Sequence, residues 1–129
     1  MDDSAREIAR QFIQSDLVVF LTPLTFGGYS SELKKALDRI ICLVSPLFMR
    51  IDGEIHHRPR YQRYPRLLGL GVLPQADGES EGIFHALVRR NAINMHAPAQ
   101  GSAVILSSWE RQRVQDKVQA LLAAVGTEE

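Results

Sequence analysis

Three short runs of unbroken apolar residues do most to limit what this chain can become. Leu17-Val18-Val19-Phe20-Leu21, Leu67-Leu68-Gly69-Leu70-Gly71-Val72-Leu73 and Ala103-Val104-Ile105-Leu106 carry no charge and do not alternate with polar positions. Runs of this length suit strands buried on both faces, the usual condition of a parallel sheet. The segments between them are long and have helical spacing. Parallel strands need crossovers of a dozen or more residues, so strand and helix spacing agree.

The helical segments are read in chain order. Ser4-Ala5-Arg6-Glu7 has the form of a capping box, followed by Ala5, Ile8, Ala9, Phe12 and Ile13 on one face, which predicts a helix over residues 3–14. Leu33, Ala36, Leu37, Ile40, Ile41 and Val44 predict a second helix over 31–44, capped by Ser30 or Ser31 and closed by Pro46. A third is expected near 80–96. A fourth is expected after Ser107-Ser108-Trp109-Glu110, another candidate capping box. Asp52-Gly53, between two short alternating arms over 50–56, signals a tight hairpin. Gly69 and Gly71 lie inside a strand, where glycine implies close approach of another element. The expected fold is therefore α/β: one domain spanning 1–129, a three-layer parallel sheet of about three strands with helices on both faces.

Composition excludes several classes. Of 129 residues, 15 are basic and 15 acidic, for a formal net charge of zero, so no general electrostatic footprint for nucleic acid is present. No apolar stretch is long enough for a membrane span, and no signal peptide opens the chain, so a cytoplasmic location is expected. The single cysteine, Cys42, cannot form an internal disulfide and is read as a small buried hydrophobe. His56 and His57, with distant His85 and His96, lack ligand spacing, so no metal site is expected. Arg50, Arg58, Arg60, Arg63 and Arg66, interleaved with Tyr61 and Tyr64, read as an exposed subunit contact. A dinucleotide phosphate is the other partner such a patch could take; Asp52 and Glu54 dilute it for nucleic acid.

Ligands of open parallel sheets sit outside the carboxyl ends of the strands. The loops at 22–30, 74–80 and 107–109 qualify. The first is the richest, with Thr22, Pro23, Leu24, Thr25, Phe26, Gly27, Gly28, Tyr29 and Ser30 offering hydroxyls, flat rings and two adjacent glycines that let backbone approach a ligand. A planar, partly anionic ring system suits it, and an ordinary strand-to-helix turn is the alternative. No acid–base triad stands out, so no catalytic side chain is assigned.

The block from Asp16 through the strand to Thr22-Pro23, the Phe26-Gly27-Gly28 loop, Leu33-Lys34 and Asp38-Arg39 resembles the flavodoxin-like NAD(P)H-dependent FMN reductases. The segment His56-His57-Arg58-Pro59-Arg60-Tyr61 and Tyr64-Pro65-Arg66 is similar to some members. The resemblance implies FMN at the strand ends, with residues 22–30 around the isoalloxazine and the 74–80 loop on its other side. Hydride would pass from NAD(P)H through FMN to an acceptor. The Ser/Thr- and Gly-rich phosphate loop of that family, and the strand before it, have no counterpart in the sequence. A flavodoxin-like sheet cut to three strands is therefore expected, with weak FMN affinity for the chain alone. The strand 17–21 would become an open edge, implying a homo-oligomer or a complementing subunit that docks there and on helix 31–44. A non-catalytic interaction subunit that has lost FMN is the alternative function.

Overall fold

A computed structural model describes the backbone of residues 3–126 and the side chains from Ser4 onward. The chain start, Met1-Asp2, lies outside the described residues. Element order is α1 (Asp3–Gln14), β1 (Leu17–Pro23), α2 (Ser31–Arg39), a 3-10 turn (Ile40–Leu43), β2 (Val44–Ile51), β3 (Glu54–Pro59), β4 (Arg66–Leu73), α3 (Gly78–Asn94), β5 (Gln100–Leu106) and α4 (Arg111–Val125).

The three apolar runs form one parallel sheet in the order β1-β4-β5. Val19 faces Leu68 in register, and Leu68 faces Gly101. Helices cover both sides, and the two crossover helices, α2 and α3, share one of them. On one side α1, α2 and α3 bury Ala9, Phe12, Phe20, Leu67 and Ala92 together, and Phe84 and Val88 pack beneath Leu73 and Val104. On the other, α4 lays Val118, Leu121 and Val125 over Leu68, Leu70, Ala103 and Ile105. The expected mixed α/β architecture, with a flavodoxin-like parallel sheet flanked by helices, is what the chain forms.

Glycines set how closely the layers approach. A Cβ on Gly69 would sit 2.6 Å from Val88 Cγ2 of α3, and one on Gly71 would sit 2.8 Å from the Leu24 side chain. Asp52 and Gly53 both take positive φ (49° and 82°), the conformation a two-residue hairpin turn demands.

Several expectations are corrected. Most of β1 is buried on one face only: Phe20 and Thr22 are covered while Val19 and Leu21 are exposed, because α4 runs over β4 and β5 and of β1 only Leu17 joins that packing. The predicted helix 31–44 stops at Arg39, tightens into a 3-10 turn, and gives way to β2, which runs through Pro46 as a two-stranded sheet with β3. Apolar residues at helical spacing were equally compatible with a turn followed by an exposed strand. Cys42 sits exposed on that turn. The capping box expected before α4 does not form as read: α4 begins after Glu110, which makes no side-chain cap.

Candidate functional site

The carboxyl end of the sheet gathers the loops that leave β1, β4 and β5. The first closes on itself. Thr25 N–H donates to Gly28 O (3.1 Å) and Gly28 N–H returns the bond to Thr25 O (2.9 Å). Between them Phe26 and Gly27 both adopt positive φ, 52° and 83°. This is the mirror-image turn that favours glycine, so Phe26 is held there at a cost. Its ring is 93% exposed, and neither its amide nor that of Gly27 takes part in the turn's two bonds.

The turn is pinned from behind. Gly27 presses against α3, where a Cβ would come within 2.7 Å of Ile83 Cβ and 3.0 Å of Ser80 O. Leu24 covers Gly71, and its N–H donates to Val72 O (3.1 Å). Thr22 is buried, donating its hydroxyl to Pro23 O (2.8 Å) and accepting from Ser30 N–H (2.8 Å). Ser30 caps α2 by accepting from Leu33 N–H (3.3 Å). Tyr29 turns inward between the edges of Phe20 and Phe84, at 5.9 and 6.1 Å, and accepts a 2.9 Å bond from the Asn91 amide. Burial raises the pKa of its hydroxyl above the ordinary phenol value, with the Asn91 bond acting the other way.

The nine residues singled out in the sequence therefore divide. Pro23, Thr25 and Phe26 face solvent at the strand ends, and Gly28 is partly open. Thr22, Leu24, Gly27, Tyr29 and Ser30 hold the loop in shape from within. Asn91, 62 residues from Tyr29, could not be found from spacing.

The second loop offers a different surface. Asp77 caps α3, its Oδ1 accepting from Glu79 N–H (3.1 Å) and Ser80 N–H (3.3 Å) and its Oδ2 from the Ser80 hydroxyl (3.0 Å). The Ser80 amide and hydroxyl, with a smaller share from the Glu79 amide, hold this carboxyl below the usual carboxylate range. Glu79 and Glu81 add negative charge in the same turn. The amides of this helix end are thus committed to a carboxylate of the chain's own. In the third loop, Trp109 packs under α4 with Arg113 over its ring at 4.1 Å.

A planar ring fits the exposed rim of Pro23, Thr25 and Phe26. An anionic tail fits less well: α3 opens on three carboxylates, and α2 opens on Ser30 and Glu32.

No curated protein matches the chain. Residues 1–62 match the family model described as NADPH-dependent FMN reductase. The matched stretch carries α1, β1, the Thr25–Gly28 turn, α2 and the hairpin, and ends before β4. The N-terminal 62 residues of this chain are thus similar to the NADPH-dependent FMN reductases, as the block from Asp16 to Arg39 implies.

Proposed function

We propose that the chain is a flavin-binding oxidoreductase module of the NADPH-dependent FMN reductase kind, completed for phosphate binding by a partner at the β1 edge. The observation that carries this reading is the Thr25–Gly28 turn, in a segment similar to that family, at the carboxyl end of a parallel sheet. FMN, when bound, supplies hydride transfer between NADPH and an acceptor. The chain's own part is positional. The exposed Phe26 of the turn would hold the ring through its backbone amide, which the turn's own bonds leave unused. The Phe26 ring shields one flank from water, and Thr22, Tyr29 and Ser30 keep the turn from collapsing. No side chain here needs to move a proton.

Charge decides the partner half. A phosphate contributes charge-assisted bonds of about 1.5–3 kcal/mol each only where amides or cations are free to meet it. Asp77, Glu79 and Glu81 at α3 do the opposite. The β1 edge pairs only with β4 among the described strands, so a loop beside it is the natural source of a phosphate seat.

Titration of the purified chain with FMN and with riboflavin, followed by flavin fluorescence, tests both halves. Both flavins are expected to bind, with dissociation constants within about threefold of each other, since a seat missing from the chain adds little to either. Phe26→Ala should weaken both. Absence of binding by either flavin overturns the cofactor reading and favours the non-catalytic interaction subunit. FMN binding more than about tenfold tighter than riboflavin overturns the partner-supplied seat.

A further inference from the structure

A cavity of about 460 Å³ lies between α1, the 3-10 turn and the β3–β4 loop. None of its lining residues belongs to the three loops at the carboxyl end of the sheet, so it is separate from the flavin rim. Its floor is apolar: Ala9 and Leu43 are buried core residues, and Ile13 packs against the same cluster. Small-molecule sites join apolar walls of this kind to a few fixed polar groups.

The charged groups here are all of one sign. Arg6, Arg10 and Arg60 line the cavity, and no carboxylate among the described residues does. In a chain of zero net charge this is a local concentration of cations. Two of the three are held before any ligand arrives. Arg60 Nη1 donates to Cys42 O (3.0 Å), and the Arg60 N–H donates to the Tyr64 hydroxyl (2.8 Å), which in turn donates to Leu43 O (2.5 Å). Arg10 Nε donates to Glu7 (3.0 Å) and its Nη1 to Gln14 (3.2 Å); Glu7, which does not line the cavity, offsets the Arg10 charge. Arg6 has no hydrogen-bond or ion-pair partner among the described residues. Arg6 and Arg60 therefore keep guanidinium donors free, in the fork geometry that matches a carboxylate or a phosphate. Tyr61 adds a flat wall, 43% exposed and steadied by an edge contact with Tyr64 at 6.1 Å.

We infer that this cavity binds an aromatic organic anion, its carboxylate or phosphate held by Arg6 and Arg60 and its ring against Tyr61 and the apolar floor. The two halves of the lining select that chemistry together. An inorganic anion would leave the floor of Ala9, Ile13 and Leu43 facing water. A neutral apolar molecule would cover the guanidiniums without pairing them, which is costly. The prior fixation of Arg60 leaves less ordering to oppose binding. This inference does not depend on flavin.

Cys42, the only cysteine of the chain, is exposed and lines the same cavity, so its alkylation by the neutral reagent iodoacetamide reports whether the cavity is filled. Benzoate and phenyl phosphate are the probes. At least one is expected to slow the alkylation about fivefold or more, with half the effect below about 1 mM. Either preference supports the site and names its head group. Benzyl alcohol, and sulfate at matched ionic strength, are expected to leave the rate unchanged. Arg6→Gln, at an exposed helix position, and Arg6→Gln/Arg60→Gln are expected to fold normally by circular dichroism and to weaken the protection about threefold and at least tenfold. Absence of protection by both anions at about 10 mM overturns the inference. So does equal protection by benzyl alcohol or by sulfate, or protection that survives the double variant.

Discussion

β1 and β4 are neighbours in one sheet and nearly synonyms in sequence, yet their environments differ. Leu21 and Leu70 are register partners on the same face of the sheet. Leu70 is 9% exposed and Leu21 67%. α4 accounts for the difference: it packs Val118, Leu121 and Val125 over β4 and β5, and of β1 only Leu17 joins them. An apolar run records which residues tolerate burial. The neighbours decide whether burial happens, and here one helix covers two strands out of three.

The largest expected effect separates these partners by the same substitution. Leu70→Ala should cost about 2–5 kcal/mol, the range for emptying a packed core site, while Leu21→Ala should cost under about 1 kcal/mol. Urea unfolding followed by Trp109 fluorescence reads both. Equal costs would mean that β1's outer face is covered in solution, and concentration dependence of the Leu21→Ala value would then identify a partner as the cover.

The same contrast explains what the sequence made legible. Features set by backbone geometry came through: the Asp52-Gly53 turn, the close approaches at Gly69 and Gly71, and the three strands of the parallel sheet. Features set by the presence or absence of a neighbour did not. Cys42 lies beside buried Leu43 on a turn, and only the turn's orientation leaves it in water. Tyr29 has the look of a ligand platform, but Phe20, Phe84 and Asn91 turn it inward from three different elements. At α3 the cap was written locally as Asp77 three residues before Ser80, a readable signal that the polar loop around it obscured.

A second comparison sharpens the role of β4's glycines. Gly69→Ala would drive a methyl into Val88, which is stiff, fully buried and backed by Phe84, and should cost about 1–3 kcal/mol. Gly71→Ala meets only the flexible end of Leu24, which is partly exposed and can turn aside, so its cost should be smaller. Thermal unfolding of the two variants ranks them. The reverse order would place the tight approach at the loop rather than at α3.

The two strands also hand over to their helices differently. β1 leads to α2 through neutral groups: Thr22 accepts from Ser30 N–H, and the Ser30 hydroxyl accepts from Leu33 N–H. Removing that hydroxyl in Ser30→Ala should cost about 1 kcal/mol, read as a lowered unfolding midpoint. If the change is negligible, the Thr22 bond alone anchors this end of α2.

The smallest effect comes from the other handover. β4 leads to α3 through the Asp77 carboxylate, whose proton affinity is lowered chiefly by the Ser80 amide and hydroxyl. A carboxyl whose folded-state pKa is depressed contributes stability that is fully present above its unfolded value, near about 3.9, and is lost as the pH falls through the lower folded value. The start of α3 should therefore loosen below about pH 4. The amide resonances of Glu79 and Ser80 should shift with acid titration. In Asp77→Asn, which can still accept through its amide oxygen but cannot titrate, the Ser80 shift should disappear. If the Ser80 amide of the wild type fails to move, the carboxylate is not its partner in solution, and the α3 terminus is free to receive an anion after all.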